Sequence, residues 1–492
     1  MENYRLRFAP SPTGPLHIGG ARSALFNYLL AKKHQGTFIV RVEDTDLERS
    51  SKESEENIKN SLKWLGMDWD EGIDVGGDYG PYRQMERLDI YQAAIDKLLA
   101  EGKAYYCFCS EEELAAEKEA QQAKGETPKY SGKCRDLTPE QRQELLDQGM
   151  KPVIRFRVPE HEQVVINDLV RGEVTFDTDG IGDFIIVKSD GIPVYNFAVV
   201  LDDVTMKVSH VIRGEEHLSN TPRQAVIYDA LGYERPQFAH ISLILGRDNE
   251  GKLTKMSKRH GSTSVVAYQE MGFLPEAIVN FLALLGWAPE GEEELFTLEE
   301  LTEQFSLERV SKSPAVFDME KLKWINGMYI RKASAERLLE YGLPYLKKAG
   351  YVDAEPTVEQ MIWAMMTIDA LKNYISCFSE LPAIIDQYRG KVIYRDEIVD
   401  EIKANKEIIV TVMTAMKEKL EKVNTINSDT YQQILKEIRK ETGYKGRNLF
   451  HSIRVAKTGE DHGPDLDKLA IVMGRDLMLE RANEFLEFAE TL

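Results

Sequence analysis

The chain has 492 residues, enough for several structural units with sizeable cores. Apolar residues make up 42% and charged residues 29%, an ordinary globular balance, and no run of about 18 apolar residues suggests a membrane span. Acidic side chains outnumber basic ones, 82 to 62, so a net charge of −20 excludes a uniformly basic nucleic-acid binder and moves any such role to local basic patches.

Residues 6–9 and 37–42 read as strands, and 18–34, 53–65 and 87–101 as helices. Together, residues 1–105 form the first half of a doubly wound α/β sheet. Residues 106–200 break the pattern with a Cys-containing hairpin, a Gln/Glu/Lys-rich helix, and strands at 153–158, 184–188 and 194–201. Asp190-Gly191 between the last two favours a hairpin turn. The sheet resumes over 201–261 with a strand at 210–213, a helix marked by Thr221 as N-cap and Pro222 at N1, and a strand at 238–245. Residues 262–335 read as a helical connector. Residues 336–492 read as nearly all helix, with helical apolar spacing in 360–378 and 404–422 and no period-2 series.

Two segments carry chemistry. The first is Pro10-Ser11-Pro12-Thr13-Gly14-Pro15-Leu16-His17-Ile18-Gly19-Gly20. Strand, Pro/Gly turn, then helix presents an anion site: glycines let the backbone approach a phosphate, and the helix start offers N–H donors. His17, on the first turn, can meet a phosphate oxygen. The second is Lys252-Leu253-Thr254-Lys255-Met256-Ser257-Lys258-Arg259-His260-Gly261. A cationic, glycine-framed loop after an apolar strand suits a polyphosphate whose charge grows during reaction.

These segments resemble the HIGH and KMSKS motifs of class I aminoacyl-tRNA synthetases. Arg-Phe-Ala-Pro-Ser-Pro-Thr-Gly at 7–14, Arg41-Val42-Glu43-Asp44-Thr45-Asp46 and Val211-Ile212-Arg213-Gly214-Glu215-Glu216-His217 resemble the glutamate and glutamine branch. Gly20 stands where the generic motif has a second His, and Arg259 where the loop motif ends in Ser. The resemblance covers essentially the whole chain. It implies a Rossmann-like catalytic domain interrupted by an inserted α+β acceptor-binding domain. The helical C-terminal region is similar to the anticodon-binding region of the bacterial glutamyl type, whereas glutaminyl members typically carry a β-barrel there.

The implied activity is ATP-dependent ligation of L-glutamate to the 3′ end of tRNA-Glu through a glutamyl-adenylate. Catalysis then rests on positioning and phosphate-charge stabilisation, with Mg2+ accompanying ATP. His17, Lys255 and Lys258 are the implied catalytic residues. Ser11, Gly14, Gly19, Gly20, Glu216, His217, Met256 and Ser257 join them around ATP. Glutamate falls to Arg7, Ala9, Ser11, Glu43, Tyr195 and Arg213, with Glu43 on the ammonium and the two arginines on the side-chain carboxylate. Some members also charge tRNA-Gln, and the sequence leaves that range open. The family expectation is a monomer.

Cys107, Cys109 and Cys134 in the inserted region suggest a structural zinc site, with Asp136 or Tyr130 as fourth ligand. Four cysteines in this length argue against a disulfide scaffold. With no signal or transit segment before the first strand, the expected location is cytoplasmic. Residues 444–457 hold Lys445, Arg447, Arg454 and Lys457 and no carboxylate. The first three are candidate tRNA contacts, basic and aromatic side chains together suiting unstacked bases.

Overall fold

The computed structural model describes residues 4–248, 250–257 and 263–492. Two compact units divide the chain, residues 1–268 with 278–319, and residues 269–277 with 320–492.

In chain order the first unit contains β1 (Arg5–Phe8), α1 (Ile18–Lys33), β2 (Thr37–Val40), α2 (Lys52–Trp64), β3 (Glu71–Gly72), α3 (Leu88–Ala100), β4 (Ala104–Cys107), α4 (Glu111–Ala123), α5 (Pro139–Asp147), β5 (Val153–Phe156), β6 (Gln163–Asp168), β7 (Gly172–Asp177) and β8 (Phe184–Val187). It continues with α6 (Tyr195–Thr205), β9 (His210–Gly214), α7 (Thr221–Leu231), β10 (Gln237–Ile241), β11 (Ile244–Arg247), β12 (Leu253–Lys255) and β13 (Ala315–Val316).

Seven strands form the main sheet in the order β3-β2-β1-β9-β10-β6-β7. All neighbours pair in parallel except the β6–β7 hairpin. The strand order reverses between β1 and β9, which opens a crevice at their carboxyl ends. Leu6, Phe8, Phe38, Ile39, Val40, Val211 and Ile212 are buried in this sheet, and Leu25, Phe26 and Leu29 of α1 pack from the buried face of their helix. Strands β4, β5 and β8 make a separate antiparallel sheet, and β11 pairs with β12 and β13 in a third.

Three sequence expectations change. Residues 195–205 are helix α6, not a strand. Phe197 to Asp203 are all buried, and a run apolar on every side carries no period to separate strand from helix. The Asp190-Gly191 turn does form, with Lys188 N–H donating to Ile192 O, but it leads into the helix. Secondly, the expected strand at 238–245 splits into β10 and β11, which belong to different sheets. Thirdly, Thr221 is no N-cap: Asn220 holds that position, after a 3-10 turn, and makes no side-chain cap bond. The Thr221 hydroxyl instead accepts from Arg213.

The second unit is helical throughout its described residues from 320. Helices Lys406–Leu420, Ser428–Thr442, Arg447–Thr458 and Leu466–Glu490 enclose a core of Ile409, Val412, Met416, Ile434, Ile438, Leu449, Ile453 and Phe485. The last helix breaks at Gly474, whose φ of 71° suits glycine.

Candidate active site

A cleft of ≈ 1940 Å³ opens at the crevice between β1 and β9. It gathers Arg7, Ala9, Ser11, Gly14, His17, Gly19, Gly20, Glu43, Tyr195, Arg213, Glu216, His217, Lys255 and Met256. Ser257 is not on its wall, and Lys258 lies outside the described residues.

His17 stands one residue before α1 and caps it: its Nδ1 accepts from Gly19 N at 3.1 Å. That bond fixes the tautomer, because an accepting Nδ1 leaves the proton on Nε2, free to donate. Burial, then Lys255, lowers the His17 pKa, so the ring is neutral at neutral pH. The helix start is less open than the sequence suggests. Ile18 N–H already donates to Thr263 O at 2.9 Å, and Gly19 N–H is taken by His17. Those two N–H groups are therefore already engaged, and the His17 ring is the donor this turn can offer to an anion. Gly20 has little room for a side chain, since a Cβ would sit 3.3 Å from Leu16 and 3.7 Å from Phe8.

Beneath the cleft lies a buried charged layer. Arg7 on β1 donates to Asp203 through Nε (3.1 Å) and Nη2 (3.4 Å), and Arg41 donates to the same carboxylate at 2.8 Å. Arg41 also donates to Glu43 at 3.1 Å, and Arg87 to Asp202 at 2.7 Å. Burial raises the Asp203 pKa, yet Arg7 and Arg41 outweigh it and hold the carboxyl below its usual range. Glu43 behaves oppositely: burial outweighs Arg41 and Arg7 and pushes its carboxyl up. A buried carboxylate still short of positive charge is suited to a ligand ammonium.

Arg213 on β9 differs from Arg7. It is buried, and its hydrogen bonds go to His240 Nε2 (3.1 Å), Tyr195 Oη (3.3 Å), Thr221 Oγ1 (2.9 Å) and Gln224 Oε1 (2.9 Å), all neutral acceptors. Burial lowers its pKa. Among the described residues no carboxylate pairs with it. His217 lies against Tyr195, and burial with Arg213 pulls its pKa to about 4.

At the other end of the cleft, Lys255 closes β12, its side chain 62% exposed and its Nζ 3.7 Å from Glu216. Met256 is buried, its N–H bonded to Ile244 O at 3.0 Å, and so anchors the base of the cationic loop. Glu216 crowds Gly214: a Cβ there would come within 2.1 Å of its carboxylate. Arg22 donates to Ser242 O and Leu285 O, which ties α1 to the strand leading into that loop. Arg22, Arg41, Asp202, Asp203, Asp168 and His240 were not legible as site residues in sequence. The Asp-Asp pair and the Arg of the Arg-Val-Glu-Asp motif were the available signals.

The three expected thiols meet. The sulfurs of Cys107, Cys109 and Cys134 lie within 4.8 Å of one another, and Tyr130 Oη is 3.4 Å from Cys107 Sγ and 3.6 Å from Cys109 Sγ. Asp136 does not join them: its side chain is 86% exposed and pairs with Arg157 at 3.3 Å. Soft sulfur donors clustered this way fit zinc, with Tyr130 as the neighbouring oxygen.

In the helical unit, Lys445 and Arg447 are exposed and Arg454 half-buried. Arg447 pairs with Glu401 at 3.3 Å. Lys457 is not part of this surface. It is buried on the Leu449–Ile453 face, its Nζ donates to Met478 O at 2.7 Å, and burial lowers its pKa to about 7.

Comparison with known proteins agrees with this geometry. The family model described as tRNA synthetases class I (E and Q), catalytic domain, matches residues 3–324, and an anticodon binding domain model matches 334–486. A glutamate–tRNA ligase of Heliobacterium modesticaldum is 58% identical over 99% of this chain and 98% of its own. One from Desulforamulus reducens is 56% identical over 97% and 98%. The crystal structure of a glutamate tRNA ligase from Elizabethkingia meningosepticum, in complex with its amino acid, superposes with a TM-score of 0.85 at 33% identity, covering 99% of each chain. The chain belongs to the class I tRNA synthetases of the E and Q type.

Proposed function

We infer that the chain ligates L-glutamate to the 3′ end of tRNA-Glu, at the expense of ATP, in protein biosynthesis. The observation that carries the choice of amino acid is Arg213, a buried cation whose hydrogen-bond partners are all neutral, in the same cleft as the under-compensated Glu43. A carboxylate and an ammonium from one ligand complete both. Glutamine would leave the Arg213 charge unmatched, a far larger loss than a missing methylene.

The ligand ammonium binds Glu43, and its side-chain carboxylate binds Arg213 with Tyr195 and the free edge of Arg7. Ala9 and Ser11 line the path to the reacting carboxylate. That carboxylate attacks the α-phosphorus of ATP; the new C–O–P bond forms as pyrophosphate leaves. His17 Nε2–H and Lys255 stabilise the phosphate charge, with Lys258 completing the set from the loop. Glu216, His217 and the Gly14–Gly20 turn shape the nucleotide end. The terminal tRNA hydroxyl then attacks the carbonyl and AMP departs with the phosphate. No enzyme nucleophile is used; positioning and charge stabilisation supply the rate. Mg2+, which would accompany ATP, would supply further screening of the same phosphates.

Residues 106–200 take the tRNA acceptor end and 336–492 the anticodon, with Lys445, Arg447 and Arg454 on the RNA. Cys107, Cys109, Cys134 and Tyr130 would hold a zinc ion, which would tie the end of β4 to the segment carrying Cys134. The protein acts as a monomer in the cytoplasm; four unpaired thiols accord with a reducing compartment. Charging is tested with radiolabelled glutamate, ATP and purified tRNA-Glu or tRNA-Gln. Product on tRNA-Glu supports the reading, product on both extends it to a nondiscriminating enzyme, and product on neither overturns it.

A further inference from the structure

Arg213 is aimed by a pair of residues outside the motifs. A guanidinium only donates, so the His240 Nε2 that Arg213 Nε meets at 3.1 Å carries a lone pair. The ring proton is therefore on Nδ1, which lies 2.6 Å from Asp168 Oδ2. Both side chains are 0% exposed. Asp168 closes β6, and its Oδ1 accepts from the backbone N–H of Val170 (2.9 Å), Arg171 (2.8 Å) and His240 (3.2 Å). The carboxylate cannot swing away without stranding those donors. Gln224, which also accepts from Arg213, is held in turn by Asn196 at 3.0 Å.

The contrast with Arg7 gives the arrangement its meaning. Arg7 is aimed by a carboxylate, Asp203, which cancels its charge. Arg213 is aimed by a neutral imidazole, which fixes direction and cancels nothing. A carboxylate in the His240 place would neutralise Arg213 before substrate arrived, and an imidazolium would set N–H against N–H. We propose that His240 and Asp168 are positioning residues for amino-acid selection: Asp168 locks His240 in its Nδ1–H tautomer, and the His240 lone pair points an uncancelled Arg213 at the substrate side-chain carboxylate. The proposal rests on Arg213 being the group that reads that carboxylate.

The test is steady-state glutamylation of tRNA-Glu by five variants, four single and one double, with KM for glutamate, KM for ATP, kcat and Tm measured for each. Asp168→Asn keeps the backbone acceptor but turns an N–H toward His240 Nδ1. The ring then takes the Nε2–H tautomer and faces Arg213 with a donor. The expected result is a glutamate KM raised at least about tenfold, with kcat and the ATP KM within about threefold. His240→Gln places an amide oxygen where Nε2 was and keeps the glutamate KM within about threefold of wild type, whereas His240→Phe raises it like Asp168→Asn. In the His240→Gln background no tautomer is left to fix, so adding Asp168→Asn has little further effect. Additive effects of those two substitutions, or equal KM values for His240→Gln and His240→Phe, would overturn the proposal. Arg213→Lys separates the underlying reading: an unchanged glutamate KM there refutes Arg213 as reader. A raised KM there with an unchanged one in Asp168→Asn refutes only the positioning role. Should Asp168→Asn fail to fold, the His240 pair decides alone.

Discussion

Replacing Asp203 with Asn removes one charge from a layer that balances three arginines, 7, 41 and 87, against Glu43, Asp202 and Asp203. An amide has one accepting oxygen, while Asp203 now serves Arg7 with both oxygens and Arg41 with one of them. One arginine must then face an N–H2 group with no water to replace the lost acceptor. Breaking a buried pair this way costs about 3–5 kcal/mol. Over roughly 300 residues, at about 2.1 cal/mol/K each, that lowers the melting transition of the first unit by about 5–8 °C. Differential scanning calorimetry measures it, and glutamate KM should rise in parallel as Arg7 loses its orientation. The Asp203 pKa is depressed in the fold, so its stabilisation is present above the unfolded value of about 4 and lost as pH falls through the folded value. The deficit of the variant should thus be constant from about pH 8 to 5 and shrink below about pH 4. An unchanged transition together with an unchanged glutamate KM would refute the layer as the support of the site.

The remaining predictions concern the reaction, the nucleotide end and the metal. His17→Ala should lower kcat by about 10²–10³ with little change in glutamate KM, as for a donor acting in the transition state; equal effects on both constants would contradict that role. Because burial and Lys255 lower the His17 pKa, any acid limb it gives to kcat should fall below pH 6.5, and an inflection above that value would count against it. Lys258→Ala should likewise reduce kcat far more than it raises glutamate KM, checked by the same assay. Gly214→Ala should displace Glu216 and raise the ATP KM, leaving glutamate binding in a tRNA-bound equilibrium assay nearly unchanged. Metal analysis of the purified chain should find one zinc, retained in Asp136→Asn, weakened in Tyr130→Phe and lost in Cys109→Ala; zinc unaffected by the cysteine change would contradict the site.

The elements that sequence made legible are those with one wet face. Helices α2 and α3 and the C-terminal helices show clean periods, and the Pro/Gly turn before α1 and the cationic segment stand out by composition alone. What stayed hidden depends on complete burial. In β1, Arg5 and Arg7 alternate with Leu6 and Phe8, which reads as a half-exposed strand, yet all four are buried because Glu71 and Asp203 meet the arginines. Helix α6 disappeared for the same reason. The β6–β7 hairpin is absent from the sequence reading although its alternation was there to find, Val164 and Ile166 being buried while Gln163, Val165 and Asn167 are exposed, and nothing local says that it extends the main sheet through β10. Asp168 and His240 lie 72 positions apart and acquire meaning only when that strand docks. Lys457 was misplaced by counting charges: four and eight residues after Ile453 and Leu449, it lies on their buried face, as helical spacing alone indicates.

Amino-acid choice is the point on which cleft, arginine and carboxylate layer converge. The direct measurement is charging of purified tRNA-Glu in the presence of ATP with labelled glutamate and, separately, labelled glutamine, for the native chain and for Arg213→Lys. The structure predicts efficient glutamate transfer, glutamine transfer lower by about 10⁴ or more, and a narrowed ratio in the variant. Comparable transfer of glutamine by the native chain, or a ratio untouched by the Arg213 change, would contradict a site built around an uncancelled cation.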